Sequence, residues 1–320
     1  MAQAACLIVN PSAGGGRARR VAPEVMDELA ALEVDARRCD TRDLPHAREL
    51  AVAAARRGEL VLALSGDGMV GAIADALRVV PDAVLGVLPG GRGNDLARVL
   101  GIPRDPRAAC RAIMAGDVRP MDLGEALPAD AEPRAFVGIA SVGFDSIANR
   151  LANEAPAWLG GFVYLYGGLR TLVSWRAASF EIELDPPGER IAARGYTVGA
   201  ANSKAYGGGM YSAPDAMLDD GLLDVMVMGD MSRTRFLTQV LPRVFKGTHV
   251  ELPEVRSFRA AEVLISSDRP FSMYADGDPI GDLPLRLRAV QGAVQMLVPQ
   301  QQGDRSAFAA TSPPAAAAAE

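Results

Sequence analysis

The sequence predicts an α/β domain built on a parallel sheet, followed by an antiparallel β domain. Three observations point there. The first third alternates continuous apolar runs with amphipathic ones, and a glycine-bearing loop directly follows each of three apolar runs. From about Met121 the texture changes to strand-like runs separated by Gly, Pro and Asp clusters. Continuous apolar strands alternating with helices belong to a sheet covered on both faces. Strand-like runs between turn residues favour antiparallel pairing.

Taken in order, Ala5 to Val9 reads as a buried strand, and Val25, Leu29 and Leu32 then recur at helical spacing, with Met26 extending that face. Leu60 to Leu64 is a second strand with a helix over Val70 to Val79 after it. Val84 to Leu88 is a third, followed by a short helix, Leu96 to Leu100, closed by Gly101 and Pro103. Strand-like runs then fall at Phe136 to Ala140, Phe180 to Leu184, Tyr196 to Ala200, Leu223 to Met228 and Glu262 to Ile265. Two helical inserts interrupt them, Ala157 to Trp175 and Ser232 to Lys246. The domains are expected at 1–122 and 123–300, with a Gln-, Pro- and Ala-rich disordered tail at 301–320.

At 320 residues the chain is long enough for two cores. With 49% hydrophobic and 22% charged residues the composition is globular, and the net charge of −6 argues against a nucleic-acid partner bound through bulk charge. Cys6, Cys39 and Cys110 are far apart and odd in number, which suits small buried hydrophobes in a reducing compartment. His46 and His249 are isolated and no Cys/His spacing would hold zinc. Neither an export signal nor a transmembrane segment is evident: the least charged stretch, Ala155 to Leu169, is shorter than the ~20 residues a span needs. The expected location is cytoplasmic.

Each of the three loops has phosphate-binding chemistry: Asn10 to Gly16, Ser65 to Gly68 and Pro89 to Asp95. Ligands of open α/β sheets bind beyond the carboxyl ends of the strands, where glycine lets backbone N–H groups approach phosphate oxygens. One such loop is usually only a turn; three in register, two carrying a carboxylate, favour a site. None is a Walker loop, since no Gly-Lys-Ser/Thr occurs, and no dinucleotide fingerprint is present. Asp67, Asp95 and Asp122 stand just past strand ends, where each alone reads as a helix cap or turn and together they favour a cation site.

Asn10-Pro11-Ser12-Ala13-Gly14, Ser65 to Met69 and Pro89 to Arg98 resemble the motifs of the diacylglycerol-kinase-like lipid kinase family. Met121 to Gly124, Gly207 to Gly209, Pro214 to Ala216, Asp219 to Asp224 and Asp276-Gly277-Asp278 continue the likeness, which runs from Leu7 to about Val298. The resemblance implies a Rossmann-like three-layer α/β domain of the NAD kinase/diacylglycerol kinase type, followed by an antiparallel β-sandwich. It implies ATP over Asn10, Pro11, Ser12, Ala13 and Gly14, with Thr41 near the adenosine, Gly66 to Gly68 cradling phosphates, and Gly91, Arg92 and Asn94 in the same nucleotide site. Asp67, Asp95 and Asp122 would hold catalytic Mg²⁺ largely through water. Asp278 would take the proton of the attacking hydroxyl, with Asp67 as its partner in catalysis; a hairpin turn is the competing reading of Asp276 to Asp278. The side chain of Asp220 and the backbone oxygens of Met217 and Leu222 would form a structural Mg²⁺ site, against a plain Asp-Gly turn.

The sequence departs from the family pattern at several points. Ser65 replaces a glycine, Met69 and Arg92 replace two threonines, Gly71-Ala72 stands where many relatives carry Asn-Glu, and Asp278 is one methylene shorter than the usual glutamate. The implied function is ATP- and Mg²⁺-dependent phosphorylation of diacylglycerol to phosphatidate. Alternatives are another lipid alcohol (a sphingoid base, a ceramide or a monoacylglycerol), an NAD kinase, or a catalytically impaired nucleotide-binding regulator. The partner is then a lipid at the inner membrane face, met peripherally, and a homodimer stays open. Trp158 to Tyr166, dense in aromatics, and the segment carrying Arg233, Arg235, Arg243 and Lys246 beside Phe236, Val240 and Phe245 are the candidate contact surfaces, with ordinary packing as the rival reading of both.

Overall fold

The computed structural model describes residues 3–154, 163–300 and 306–309. Strands β1 (Ala4–Val9), β2 (Asp35–Asp40), β3 (Leu60–Ser65) and β4 (Val84–Pro89) form a parallel sheet in the order β2-β1-β3-β4. Helix α1 (Ala13–Ala31) pairs with α5 (Pro106–Met114), and α2 (Leu44–Ala55) pairs with α3 (Asp67–Leu77), completing the three layers. Helix α4 (Asp95–Val99) is the short one closed by Gly101. The two middle strands are apolar from Ala4 to Val9 and from Leu60 to Leu64 because helices cover both faces. β2, Asp-Ala-Arg-Arg-Cys-Asp, lies at the edge of the sheet and is only half-buried, so its pattern was illegible as a strand.

β5 (Asp117–Leu127) leads out of this sheet, and the residue expected at the domain boundary, Asp122, falls inside it. The second half comprises β6 (Arg134–Phe136), β7 (Ile139–Gly143), α6 (Phe144–Asn153), α7 (Val163–Ser174), β8 (Ala178–Asp185) and β9 (Glu189–Ala201). After them come β10 (Leu223–Gly229), a helical segment at 233–244, β11 (Val255–Ala260), β12 (Glu262–Ser267), β13 (Ser272–Ala275), β14 (Asp278–Asp282) and β15 (Leu285–Val298). The pairings among β7 to β14 are antiparallel, and the result is a β-sandwich-like domain. β8 alternates buried and exposed residues, as a sheet with one wet face requires.

β15 returns to the first sheet. It runs parallel to β4, with Met296 opposite Leu85, and antiparallel to β5 along its length, with a register break between Val290 and Val294. The α/β core and the β core are separate apolar clusters, joined by this shared pair of strands. Within the tail expected to be disordered, residues 306–309 pack against the α/β core instead. Phe308 is 2% exposed, with Arg119 over its ring at 5.0 Å, and Ala309 N–H donates to Asp219 Oδ1 at 2.6 Å. Burial of one large aromatic side chain is sufficient reason for that short stretch to order. No helix among the described residues is long and apolar enough to cross a membrane.

Candidate active site

β1, β3 and β4 end side by side, and the loops beyond them touch. Gly14 has a left-handed φ of 60°, and a Cβ there would stand 2.6 Å from the Gly90 carbonyl oxygen. A Cβ on Gly91 would stand 2.4 Å from Gly66 Cα. Only glycine lets three backbones approach this closely. The loops are also tied: Gly90 and Gly91 N–H donate to Ser65 O at 2.9 and 3.0 Å, and Ala13 N–H to Asn10 O at 3.0 Å. Asn10 Oδ1 accepts from Ser12 N–H at 3.1 Å and Ser12 Oγ at 2.8 Å. Asn94 Oδ1 accepts Gly91 N–H at 2.7 Å while its Nδ2 donates to Gly91 O at 2.9 Å. Asn10, Ser12 and Asn94 therefore shape the cradle, with Pro11 and Ala13 completing the first turn.

Asp67 opens α3 and its Oδ1 accepts Leu96 N–H at 3.0 Å, so it caps α4 from the neighbouring loop. Asp95 opens α4 and is 6% exposed. Its Oδ2 accepts Gly208 N–H at 2.8 Å, a donor supplied by the glycine turn 207–209 of the second half. Its Oδ1 is buried with no hydrogen bond, 3.8 Å from Arg98 Nε. Gly93 lies between the acids: a Cβ on it would be 3.2 Å from Asp95 Oδ2 and 3.3 Å from Asp67 Oδ2. Burial pushes the Asp95 carboxyl up, the Gly208 N–H opposes this, and the nearby Asp67 charge adds to the rise.

The β13–β14 turn reaches the same place. Asp276, at φ 52°, accepts Val137 N–H at 2.8 Å and Gly138 N–H at 2.9 Å. Burial pushes its carboxyl up to about 7; the two N–H groups pull down, and the charges of Asp67 and Asp278 push further up. Asp67, Asp95, Asp276, Gly277, Arg92 and Gly208 line one cleft of about 380 Å³. Asp278 opens β14, exposed and off the cleft wall, and its carboxylate makes no hydrogen bond or ion pair among the described residues. Asp67 and Asp278 are therefore not on opposite sides of the molecule, since both act on Asp276.

An apolar groove of about 280 Å³ adjoins the cleft, sharing Asn149, Tyr206 and Gly207 with it. Phe144, Leu172, Met228, Phe236 and Val240 line it, and Leu169, Leu237 and Phe245 stand exposed around it. Tyr206 Oη donates to Asp145 Oδ2 at 2.7 Å on the wall between the two spaces. Burial raises the Asp145 carboxyl, with the Tyr206 hydrogen bond opposing. Phe236, Val240 and Val244 turn inward, and Arg235 pairs with Glu254 at 3.0 Å. Trp158 to Phe162 lie outside the described residues.

Several expected roles need correction. Asp122 does not join Asp67 and Asp95: its Oδ1 accepts Gly292 N–H at 2.7 Å and its Oδ2 accepts Gly221 N–H at 2.6 Å. It pins the register break in β15 to the 219–221 turn, a structural task that a buried carboxylate performs well. Thr41, expected near the adenosine, is 8% exposed, and its Oγ1 donates to the sulfur of Met69, itself 3% exposed, at 3.9 Å.

The fit of the implied metals differs between the two sites. The unpartnered buried Asp95 Oδ1 beside Asp67 suits a small hard cation that keeps most of its waters. The structural site does not fit. Asp220 Oδ1 accepts Leu222 N–H at 3.0 Å, and its Oδ2 is paired with Arg259, whose Nε also lies 3.6 Å from Asp224. Asp219 is taken by Arg119 at 3.0 Å. Guanidinium groups supply the positive charge there, and Met217, Asp220 and Leu222 are not assigned as ligands. No group of three or more His, Cys, Asp or Glu among the described residues is arranged to hold a metal.

Sequence reasoning missed Asp276 as a cleft residue because an Asp-Gly pair between strands reads as a turn. It gave the glycine turn 207–209 no role either; its reach to Asp95 crosses 113 positions of sequence.

Glycine loops at strand ends, neighbouring carboxylates and a flanking apolar groove make up the candidate site. The diacylglycerol kinase catalytic domain family matches residues 4–126, and the YegS C-terminal NAD kinase beta sandwich-like domain matches residues 138–298. The chain is 35% identical over 297 residues to a diacylglycerol kinase of Mycobacterium tuberculosis (strain ATCC 25618 / H37Rv), covering 92% of this chain and 94% of the relative. It is 30% identical over 254 residues to a protein of Stenotrophomonas maltophilia (strain K279a) named "Probable lipid kinase YegS-like", covering 75% and 79%. A solved diacylglycerol kinase structure from Bacillus anthracis str. Sterne shares the fold at a TM-score of 0.69 and 20% identity, covering 93% of this chain and 97% of that one. The chain belongs to the diacylglycerol kinase-like lipid kinase family.

Proposed function

We propose that the protein transfers the γ-phosphoryl group of ATP to the free hydroxyl of diacylglycerol, giving phosphatidate and ADP. One observation carries this reading: a polar cleft with paired carboxylates adjoins an apolar groove, the two sharing Asn149, Tyr206 and Gly207. A triphosphate suits the first space and an acyl chain the second.

In this reading the 1–122 half binds ATP and the 123–300 half binds lipid. The backbones of Gly14, Gly66, Gly68 and Gly91 take the phosphates, and Arg92, exposed on the cleft wall, adds a two-point cationic grip. Asp67 and Asp95 would hold Mg²⁺, which neutralises charge on the transferring phosphoryl oxygens. Asp276 is an anchor, because both its oxygens accept backbone N–H groups and fix the β13–β14 turn against Val137 and Gly138. Asp278 is the general base. Its carboxylate is unpartnered, and it takes the hydroxyl proton as the lipid oxygen–phosphorus bond forms and the β,γ-bridge bond breaks. The shorter Asp278 relies on turn position for reach, which makes the Asp276 anchor functionally important. In this reading the groove mouth meets the membrane surface, where diacylglycerol resides, and the exposure of Leu169, Leu237 and Phe245 supports it.

A panel of diacylglycerol, monoacylglycerol, ceramide and sphingosine in mixed micelles with γ-labelled ATP and Mg²⁺ tests the assignment. Phosphatidate as the main labelled product is expected. A different dominant lipid product moves the substrate to another lipid alcohol, a reading that the YegS-like relative keeps in play. ATP binding with no labelled lipid removes the kinase reading.

A further inference from the structure

A third cavity, of about 550 Å³, lies on the second half of the molecule, apart from the walls of the groove. Three arginines line it: Arg150 in the last turn of α6, Arg176 just after α7, and Arg269 just before β13. Arg269 lies over the rings of Trp175 and Phe271, at 5.3 and 5.0 Å, and donates to Arg176 O at 2.5 Å. Arg150 and Arg176 are exposed, and neither side chain makes an ion pair or hydrogen bond among the described residues. Among the described lining residues the one carboxylate, Asp282, already accepts Ser272 Oγ at 2.6 Å.

Two further groups at this cavity lack partners. Arg269 Nε and the indole Nε1 of Trp175, a residue 6% exposed, are buried without any acceptor. The exposed guanidinium groups of Arg150 and Arg176 are likewise donors only, so a partner of theirs must bring acceptor oxygens. Three guanidinium groups against one carboxylate, in a chain of net charge −6, concentrate positive charge locally. Phosphate oxygens satisfy both demands, since a guanidinium fork matches them in charge and geometry.

The position of α7 says where that phosphate comes from. Thr171 and Ser174 line the cavity, while Leu169 and Leu172 of the same helix line the apolar groove. Leu169 and Val173 are left 48% and 76% exposed beside the arginines. Apolar side chains in water flanked by cations suit the headgroup layer of an anionic bilayer. We propose that this cavity receives the phosphate of an anionic phospholipid in the bilayer, seating α7 on the membrane next to the mouth of the acceptor groove. The proposal rests on the reading of the groove as facing lipid.

Binding of the full chain to vesicles of phosphatidylcholine alone, and with about a third phosphatidylglycerol, tests it by flotation. The Arg150→Gln/Arg176→Gln variant is expected to partition onto the anionic vesicles about thirty-fold more weakly, from roughly 5.5-fold per arginine. An Arg19→Gln/Arg56→Gln variant, which removes equal charge from exposed positions of the first half, should change it less than about threefold. Melting temperatures equal to that of the unaltered chain show that each variant folds. Equal losses in the two variants would mean diffuse charge attraction and overturn the pocket. Displacement by millimolar glycerol 3-phosphate would assign the cavity to a soluble phosphate instead, and also overturn it. If diacylglycerol is not phosphorylated yet the thirty-fold difference is found, the substrate assignment falls and the headgroup pocket stands.

Discussion

Replacing Gly91 by alanine probes the contact between the second and third loops without touching a charge. The φ of Gly91 is not among the positive ones, so alanine meets no backbone strain there and the effect is purely steric. Its new Cβ would fall 2.4 Å from Gly66 Cα and 3.0 Å from Gly66 N. Ordinary contact begins near 3.4 Å, so the loops must part by about 1 Å, and neither neighbour is a side chain that can rotate away. Overpacking of this kind costs about 1–3 kcal/mol of stability. A displacement of about 1 Å at a reacting centre costs on the order of a hundredfold in rate. Gly91→Ala should therefore lose about a hundredfold in kcat/KM for ATP in a mixed-micelle kinase assay, with a modest fall in melting temperature. Activity within about threefold of the unaltered enzyme, at unchanged melting temperature, would refute the idea that the two loops must touch for transfer.

Three other perturbations follow from the same geometry. The Asp276 carboxyl is raised to about 7, so the folded state holds its proton more tightly than the unfolded chain does. Its contribution is fully present below pH ~4 and lost as the pH rises through ~7, by at most about 4 kcal/mol. Urea unfolding of the metal- and nucleotide-free protein should show stability falling across that window, and Asp276→Asn should flatten the slope; an unchanged slope contradicts the assignment. Phe308→Ala should cost about 3 kcal/mol in the same experiment, because the ring is 2% exposed against the α/β core, whereas an effect under about 0.5 kcal/mol would mean that residues 306–309 do not dock. Chelation by EDTA should leave the melting temperature of the nucleotide-free protein unchanged, since Arg259 and Leu222 N–H already occupy Asp220. A fall of several degrees that Asp220→Asn abolishes would restore a structural metal there.

The parallel core was legible wherever burial on both faces leaves no polar position, as in Leu60 to Leu64 and Val84 to Leu88. Edge strand β2 and the alanine-rich α2 were not, because a half-exposed strand carries charges and a helix packed through Ala47, Ala51 and Ala54 shows little apolar contrast. The insertion of β15 beside β4 is a pairing across two hundred or so positions, which no local pattern encodes. At the site, Asp67 and Asp95 are neighbours because each opens a helix directly after a strand-end loop, an arrangement their loops carry locally. Asp122 does not join them, because its fate depends on Gly221 and Gly292, two backbone donors recruited from far along the chain. Asp276 and Asp278 sit two residues apart in one turn, yet one is anchored and the other unpartnered, a difference only the fold reveals.

The separation of those two acids offers the sharpest test of how the cleft works. ATP affinity by equilibrium dialysis and turnover with diacylglycerol should be measured side by side for Asp278→Asn. Loss of at least a hundredfold in turnover with an ATP dissociation constant within about threefold is predicted, because the change removes a proton acceptor and leaves the phosphate cradle intact. Turnover close to that of the unaltered enzyme would contradict the account, since the free carboxylate of the β13–β14 turn would then have no part in the transfer.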